Sequence, residues 1–281
     1  MKKKKSRISN LILILVFLAG LSLLLYPTVS NFLNTRNQTR VIADYRDELS
    51  SGDLESYAQM LAHATAYNES LVERENPYSL TPEQQSRYEA LLDITGSGVM
   101  GYVEIPCIDC SLPIYHGTEE EVLQKAVGHV EWSSLPVGGE SSHSVISGHR
   151  GLPSAELMTH IDRLRIGDRF YLHTLDQVLE YQVDQIKVVL PEDTTYLQIE
   201  PYQDLVTLVT CTPYGINSHR LLVRGTRILD GKPVSGQLML ANELEEVNLI
   251  YVLPAALVLV VLAFALLMGI KQLLRKKPKE K

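Results

Sequence analysis

The sequence has few cysteines, and this limits how the fold can be held together. Three cysteines occur among 281 residues, so a dense disulfide framework is excluded and at least one thiol is left unpaired. Low-complexity tracts and internal repeats are also lacking, which excludes disordered and repeat architectures. The chain is long enough to bury a core without disulfides.

Charged residues are missing from two long stretches. The first runs from Ile8 to Thr35 behind a basic N-terminus, and the second covers residues 247–270 and is rich in Leu, Val and Ala. Each is long enough to cross a hydrocarbon core of about 30 Å. No A-x-A cleavage site is found in the first stretch, which favours an uncleaved signal anchor over a removed signal peptide. We therefore predict a transmembrane signal anchor at residues 8–30 and a C-terminal transmembrane helix at residues 247–270.

Basic residues lie on the outer side of both uncharged stretches. Residues 1–7 and 271–281 carry five and six basic residues against the single acid Glu280, which gives the two tails a net charge of +10. The positive-inside rule predicts a two-pass protein of the cell membrane, with both tails cytoplasmic and the middle part extracellular. The middle part has a net charge of −17, because the whole chain carries −7. An acidic ectodomain argues against nucleic acid as a partner.

Between the two uncharged stretches the pattern changes from helical to β. Apolar residues recur every three or four positions over residues 37–72, with a break at Gly52 and Asp53, where Asp53 is suited to cap the second helix. Residues 37–97 are predicted to form helices followed by a loop, and residues 98–232 a mainly β domain. Predicted strands cover residues 100–105, 112–115, 144–147, 169–174 and 178–190 and both sides of Cys211, with brief helices at residues 119–127 and 155–164. Many short strands with local turns indicate a closed β-barrel.

The run from Thr207 to Gly225 predicts two strands joined by a turn. Residues 205–210 are apolar or β-branched, and the strand breaks at Pro213. The returning strand would bring the guanidinium of Arg220 beside the sulfur of Cys211. A cation there would favour a thiolate and stabilise an oxyanion on an attacked carbonyl. A buried structural cysteine is the alternative for a lone thiol.

A second segment supplies a base. Residues 144–153 form a short apolar strand that ends in a glycine-flanked loop, so His149 is predicted at a strand mouth. Cysteine, histidine and arginine on three strand ends suit the nucleophile, the acid/base and the oxyanion stabiliser of acyl transfer. His116 and His143 are the main rivals for the base, and Arg224 is the rival for the cation.

These segments resemble the motifs of sortases, the cysteine transpeptidases of Gram-positive cell surfaces. The matching residues are Thr210-Cys211-Thr212-Pro213-Tyr214-Gly215, Arg220 nine residues beyond the cysteine, and Ser147-Gly148-His149-Arg150-Gly151. Further likeness in residues 101–106, 112–118 and 219–225 is closest to the class C branch, which polymerises pilins. The resemblance implies a mainly β fold, an eight-stranded sortase-like barrel with the cysteine at one strand end. In this chain, short helices, an N-terminal helical segment and the two transmembrane helices would be added to that barrel.

The resemblance also implies a reaction. Cys211 would attack the Thr–Gly carbonyl of an LPXTG-type sorting signal and form a thioester. His149 would protonate the leaving amine and then deprotonate an incoming lysine amine of a pilin subunit. Arg220 and the backbone or hydroxyl of Thr210 would hold the substrate or the oxyanion. LPXTG-type surface proteins or pilin subunits are the expected partners, and no metal or cofactor is expected.

One segment is similar to the lid of class C sortases, which carries an Asp-Pro-aromatic motif. Here the corresponding residues are Asn76, Pro77 and Tyr78, and two nearby prolines exclude a helix over residues 75–82. Because asparagine is uncharged, a salt bridge from this position to the catalytic arginine is excluded. The lid would be held mainly by Tyr78 stacking over the cleft. A plain linker between helices and barrel is the alternative.

Cys107 and Cys110 form a C-x2-C pair that the sortase motifs do not include. The surrounding residues are predicted to be extended, so a disulfide would need a local turn. No helix or βαβ pattern follows, which disfavours a redox motif, and a zinc site lacks a second ligand pair. We expect two packed or half-exposed thiols.

Several functions compete with pilin polymerisation. The protein could be a housekeeping sortase that anchors proteins to the cell wall, a thiol endopeptidase in which water resolves the thioester, or a catalytically silent surface assembly module. The class C branch is preferred because of the second transmembrane stretch, the lid-like segment and the Pro213-Tyr214-Gly215 turn.

Overall fold

The structure is a computed structural model that describes residues 2–72, 74 and 78–229. Two compact units are distinguished in the chain, and the unit formed by Val29–Val234 contains the β domain. Some predicted features lie outside the described residues: the C-terminal transmembrane helix at 247–270, the basic tail at 271–281, and the lid residues Asn76 and Pro77.

Eight strands form a closed barrel, which confirms the predicted fold. They are β1 (Val99–Ile105), β2 (Cys110–His116), β3 (Val127–His129), β4 (Ser142–Ser147), β5 (Arg169–Thr174), β6 (Gln177–Val189), β7 (Asp204–Thr212) and β8 (His219–Arg227). The order around the barrel is β1-β2-β3-β4-β7-β8-β6-β5. The pairs β2–β3 and β4–β7 are parallel, and the remaining neighbours are antiparallel.

Side chains that point into the barrel form an apolar core. Residues from five different strands have 0% of their surface exposed: Val103, Ile114, Leu172, Leu208 and Val223. Successive side chains of a strand point to opposite faces, so one residue in two can join the core. Burial of these side chains supplies the main favourable term in folding.

Two long helices precede the barrel and confirm the predicted helical periodicity. α1 covers Lys2–Ser51 and α2 covers Leu54–Val72. The backbone N–H of Glu55 donates to Oδ1 of Asp53 at 3.2 Å, so Asp53 caps α2 as predicted. Among the described residues, the Ile14–Ser51 part of α1 is the one helix that is long and apolar enough to cross a membrane.

The C-terminal part of α1 packs against the barrel through Tyr45, which is 1% exposed. Its hydroxyl accepts a hydrogen bond from the backbone N–H of Leu175 at 2.8 Å and donates to the carbonyl of Met100 at 3.4 Å. Burial raises the pKa of Tyr45 to about 12. The hydroxyl therefore stays protonated and can fill both roles.

Four elements differ from the prediction. The strand β3 and the helix α3 (Pro82–Glu89) are additional. Pro82 begins α3, so the exclusion of helix was wrong at that residue; Thr81 caps the helix and forms a capping box with Gln84. The helix predicted at residues 119–127 shrinks to α4 (Glu120–Leu123), and the one predicted at 155–164 is only the 3₁₀ turn Ile161–Arg163.

The C-x2-C segment forms a tight turn and not the predicted extended stretch, with Cys107 inside the turn and Cys110 at the start of β2. A 3₁₀ turn covers Pro106–Ile108, and Asp109 follows in the left-handed region at φ 50°. Both thiols are free; Cys107 is exposed and Cys110 is half-buried. Burial raises the pKa of Cys110 to about 12, so this thiol is inert at neutral pH.

Candidate active site

The parallel pair β4–β7 places the ends of two predicted motifs side by side. The backbone N–H of Gly148, just beyond β4, donates to the carbonyl of Val209 at 3.0 Å. The hydroxyl of Thr210 donates to the carbonyl of Gly148 at 2.8 Å. Gly148, the residue before His149, is therefore hydrogen-bonded to β7, the strand that carries Cys211. The Thr210 hydroxyl already has this partner and is 1% exposed, so the structure uses it to join the two strand ends.

Cys211 and Arg220 are cross-strand partners. The antiparallel register of β7 and β8 pairs Cys211 with Arg220 and Thr212 with His219. Directly opposed residues of an antiparallel pair lie on the same face with Cβ atoms about 5 Å apart. The Arg220 guanidinium donates to the carbonyls of Asn217 and His219 at 3.3 and 3.2 Å. The predicted strand, turn and strand thus place Arg220 opposite Cys211 on the neighbouring strand.

His149 has a carboxylate beside it that the sequence did not predict. Its Nε2 lies 3.5 Å from Oε2 of Glu120, and the side chains are 27% and 68% exposed. Glu120 is the first residue of α4. Hydrogen bonds from Gln124 and from His149 lower the pKa of Glu120. Glu120 precedes His149 by 29 residues in the sequence and carries no motif, so only the folded chain shows the contact.

The rival histidines are engaged elsewhere. Both ring nitrogens of His116 contact backbone oxygens, at 3.0 and 2.8 Å. His143 is 0% exposed, with Nδ1 at 2.7 Å from the carbonyl of Gln198 and Nε2 at 2.8 Å from Oγ1 of Thr207. Burial lowers the pKa of His143. Neither imidazole has a free ring nitrogen for a reacting group.

Arg224 is not placed beside the thiol. Its register partner on β7 is Thr207, four residues before Cys211, which is about 13 Å along a strand. Its guanidinium contacts Asp184 and Glu200, each at 2.7 Å. Arg220 is therefore the arginine that faces Cys211.

Arg150, next to His149, makes contacts that stabilise the loops around the site. Its side chain is 10% exposed and forms an ion pair with Asp162. Its guanidinium carbon also lies 5.7 Å from the ring centre of Tyr214 in the turn after Cys211. The contact with Tyr214 connects the loop after β4 to the loop after β7, and these loops carry the two motifs.

An apolar floor continues from Cys211 on the outer face of the sheet. We use this name for five buried residues that pack together: Val145, Val189, Leu197, Val209 and Leu222. Val209 is two residues before Cys211 and thus on its face. Trp132 packs against the floor, and the ring of Tyr78 meets Trp132 edge to face at 5.1 Å. A cavity of about 270 Å³ lined by Trp132, Leu197 and His143, among others, adjoins this region.

Comparisons with known proteins agree with these motifs. The family model described as Sortase domain matches residues 103–228. Sortase C1 from Streptococcus agalactiae is 46% identical over 68% of this chain and 100% of the solved chain, with a TM-score of 0.67. Sortase C from Streptococcus pneumoniae is also 46% identical, over 69% of this chain and 100% of the solved chain, with a TM-score of 0.61.

The chain belongs to the sortase family of cysteine transpeptidases. Relatives of other sortase types also match. Sortase D of Bacillus subtilis is 30% identical over 46% of this chain, which spans 63% of that protein. Sortase A of Bacillus anthracis is 24% identical over 79% of this chain and 95% of that protein. The sortase fold therefore corresponds to the barrel described above.

Among the described residues, no group of three potential ligand side chains is placed to hold a metal ion. A thiol (Cys211), a guanidinium (Arg220) and an imidazole (His149) thus lie on or directly after the ends of neighbouring strands. These suit acyl transfer, in which a thiolate attacks a carbonyl, a cation stabilises the oxyanion and an imidazole moves the proton.

Proposed function

We propose that this sortase is a membrane-anchored class C enzyme that joins pilin subunits by transpeptidation. The observation that carries the proposal is the Cys211–Arg220 cross-strand pair beside the end of β4, where His149 follows. The 46% identity to sortase C1 of Streptococcus agalactiae and sortase C of Streptococcus pneumoniae supports the class C branch. The latter protein is described in terms of catalysis and pilin substrate specificity.

In the first half-reaction, the Cys211 thiolate attacks the carbonyl carbon between Thr and Gly of an LPXTG-type sorting signal. Arg220, with the backbone at Thr210, stabilises the oxyanion that forms. His149 donates its proton to the glycine nitrogen as the C–N bond breaks, which releases the C-terminal peptide as a free amine. A thioester between the threonine carbonyl and Cys211 remains.

In the second half-reaction, a lysine amine of another pilin subunit attacks the thioester. His149 accepts a proton from the attacking nitrogen while the C–S bond breaks and the Cys211 thiolate is restored. The new bond is an amide between the two subunits. The same imidazole thus acts first as acid and then as base.

The apolar floor provides a place for the sorting signal. It begins two residues before Cys211 on the same face and extends to Leu197 beyond β6. An extended peptide with a leucine and a proline can lie along this floor with its threonine carbonyl at the sulfur. Burial of the leucine and proline side chains of the peptide would supply binding energy.

Tyr78 is proposed to hold a lid over the floor. Its hydroxyl accepts a hydrogen bond from Thr194 Oγ1 at 2.9 Å and also contacts Gln198, and its ring contacts Trp132. These contacts support the proposed stacking of Tyr78 over the cleft. Asn76 and Pro77 are proposed to form the rest of the lid motif.

Membrane anchoring is proposed from the two uncharged stretches. Residues 8–30 would be the signal anchor and residues 247–270 the second transmembrane helix, with residues 37–97 and 98–232 outside the cell. The basic tails at residues 1–7 and 271–281 would stay in the cytoplasm.

The proposal is tested with the full chain in detergent micelles, an LPXTG peptide and a lysine-bearing pilin fragment. The wild type is expected to produce an amide-linked product that mass spectrometry detects. Cys211→Ala should abolish this product, while Cys107→Ala should keep it, because Cys107 is exposed and lies in the β1–β2 turn. A Cys211→Ala protein as active as Cys107→Ala would refute the assignment. If only hydrolysed peptide forms at every acceptor concentration, the protein is a thiol endopeptidase.

A further inference from the structure

The connection between β6 and β7, residues 190–203, borders the apolar floor and contacts Tyr78. Leu197 of this connection belongs to the floor. Thr194 and Gln198 both contact the Tyr78 hydroxyl. The position of this connection therefore decides the width of the groove above the apolar floor and the position of the Tyr78 ring. A 14-residue connection with a single 3₁₀ turn at Thr195–Leu197 has little regular structure to hold it.

One polar contact holds the connection from β8. Arg224, whose side chain is 14% exposed, donates through Nη1 to Oε1 of Glu200 at 2.7 Å. Its Nε and Nη2 donate to the two carboxylate oxygens of Asp184 at 3.2 and 2.7 Å. Asp184 is the extra residue of a bulge in β6, where the register with β8 shifts between Val183 and Gln185. The bidentate pair with Asp184 fixes the plane of the guanidinium and so aims its third contact at Glu200.

A second polar contact holds the connection from β4. His143 is buried, and its Nδ1 lies 2.7 Å from the carbonyl of Gln198. A carbonyl only accepts, so Nδ1 carries the proton and donates it. Burial keeps the pKa of His143 below its ordinary value, although the hydrogen bond to the Gln198 carbonyl acts in the opposite direction. The neutral ring then accepts at Nε2 from the hydroxyl of Thr207, at 2.8 Å.

We propose that Arg224 and His143 are positioning residues that fix the β6–β7 connection as one wall of the substrate groove. Neither touches the reacting atoms. Arg224 is paired with Thr207, four residues before Cys211, and the His143 ring contacts the Thr207 hydroxyl. Both side chains bond to the connection, His143 at Gln198 and Arg224 at Glu200. The inference rests on the proposed function, since it assumes that a sorting signal lies in this groove.

Glu200→Gln is the variant that separates this role from folding. Glu200 is exposed and the Arg224–Asp184 pair survives its change, so the barrel should fold normally. Glu192→Gln is the matched control, because Glu192 is exposed on the same connection and the exchange alters the net charge equally. Two measurements apply to the full chain in micelles: amide hydrogen exchange over residues 190–203, and steady-state kinetics with an LPXTG peptide and a lysine amine.

Glu200→Gln is expected to speed amide exchange in the connection and to raise KM for the peptide by roughly threefold, as loss of a partly exposed ion pair permits. Because the reacting groups are untouched, kcat should change by less than about twofold, and the rate of Cys211 alkylation by a small haloacetamide should be unchanged. Glu192→Gln should match the wild type in all of these measurements.

The proposal is overturned if Glu200→Gln and Glu192→Gln show equal exchange in residues 190–203, or if exchange rises and KM stays at the wild-type value. A fall in kcat with KM unchanged also overturns it, since that result would assign Glu200 to the chemical step. If the wild type has no transpeptidase activity, the proposed function fails. In that case the exchange experiment still decides whether the connection is held by these contacts.

Discussion

The contact between Glu120 and His149 can be tested by changing Glu120 alone. The Glu120 carboxylate lies 3.5 Å from Nε2 of His149 and so can hold the imidazole ring in one orientation. Glu120→Gln is expected to lower kcat/KM by up to about fivefold, because an exposed ion pair has only a small effect on the orientation of its partner. The measurement is steady-state transpeptidation with the full chain between pH 5.5 and 8.

Glu121→Gln is the control for this prediction, because Glu121 is the next residue of α4 and is exposed. Its activity should equal that of the wild type at every pH tested, and only Glu120→Gln should lose activity. Equal profiles for the two variants would show that the contact with His149 has no effect on catalysis.

The candidate site residues differ in how far sequence alone could find them. Cys211 and Arg220 are nine residues apart in a strand, turn and strand pattern, so local chain geometry predicts their pairing. His149 was found from its glycine-flanked loop, but its place beside β7 depends on a parallel pairing with a strand some 60 residues away. Glu120 had no local pattern at all. Long-range pairing leaves no trace in the residues near it.

At the scale of secondary structure, α3 is attached to the barrel through one tyrosine. The hydroxyl of Tyr88 is buried, lies 3.0 Å from Nδ1 of His129 and accepts from the backbone N–H of Gly117 at 3.0 Å. Nε2 of His129 faces the carbonyl of Ser134 at 2.7 Å. The ring is therefore protonated at Nε2, and Tyr88 donates to Nδ1.

Tyr88→Phe is expected to lower the free energy of unfolding by about 2 kcal/mol, because the N–H of Gly117 and Nδ1 of His129 lose their partner in the interior. Urea unfolding of the full chain in micelles, followed through the fluorescence of the single tryptophan, measures the change. Tyr171→Phe is a control on an outward-facing, half-buried tyrosine of β5 and should cost less. Equal losses in both variants would contradict the role of this network.

The length of a strand or helix decides whether sequence periodicity predicts it. β5 was predicted with the observed bounds, because six alternating residues are flanked by turns. β3 has three residues and is not predicted, and its first residue, Val127, falls at the end of a predicted helix, since a three-residue strand has no periodicity to detect. α3 could have been predicted from its Thr81, Pro82 and Gln84 start signals, but the prolines nearby were read only as breakers.

At the scale of the whole molecule, His129 makes stability depend on pH. Burial lowers the pKa of His129 to about 3, whereas an unfolded histidine titrates near 6.5. Between these values the unfolded chain binds a proton that the folded chain does not. The contribution of His129 to stability is therefore fully present above about pH 6.5 and is lost progressively as the pH falls towards 3.

This residue alone should remove up to about 1.4 kcal/mol of stability per pH unit below pH 6. Urea unfolding at a series of pH values from 7.5 to about 4.5 measures the slope. His129→Gln keeps a donor for the Ser134 carbonyl but does not titrate, so its slope should be smaller by that amount. Parallel slopes for the wild type and His129→Gln would show that His129 protonates equally in both states.

Sequence by itself determined the features that depend on neighbours along the chain. The uncharged stretches, the amphipathic helices with the cap at Asp53, most of the strands and the cysteine–arginine pairing all follow from local periodicity and turn chemistry. Only the tertiary structure decided which distant groups meet: Glu120 at His149, Tyr88 at His129, and Arg224 and His143 at the β6–β7 connection. These contacts depend on the closure of the barrel, and closure brings together side chains whose separation in the sequence carries no signal.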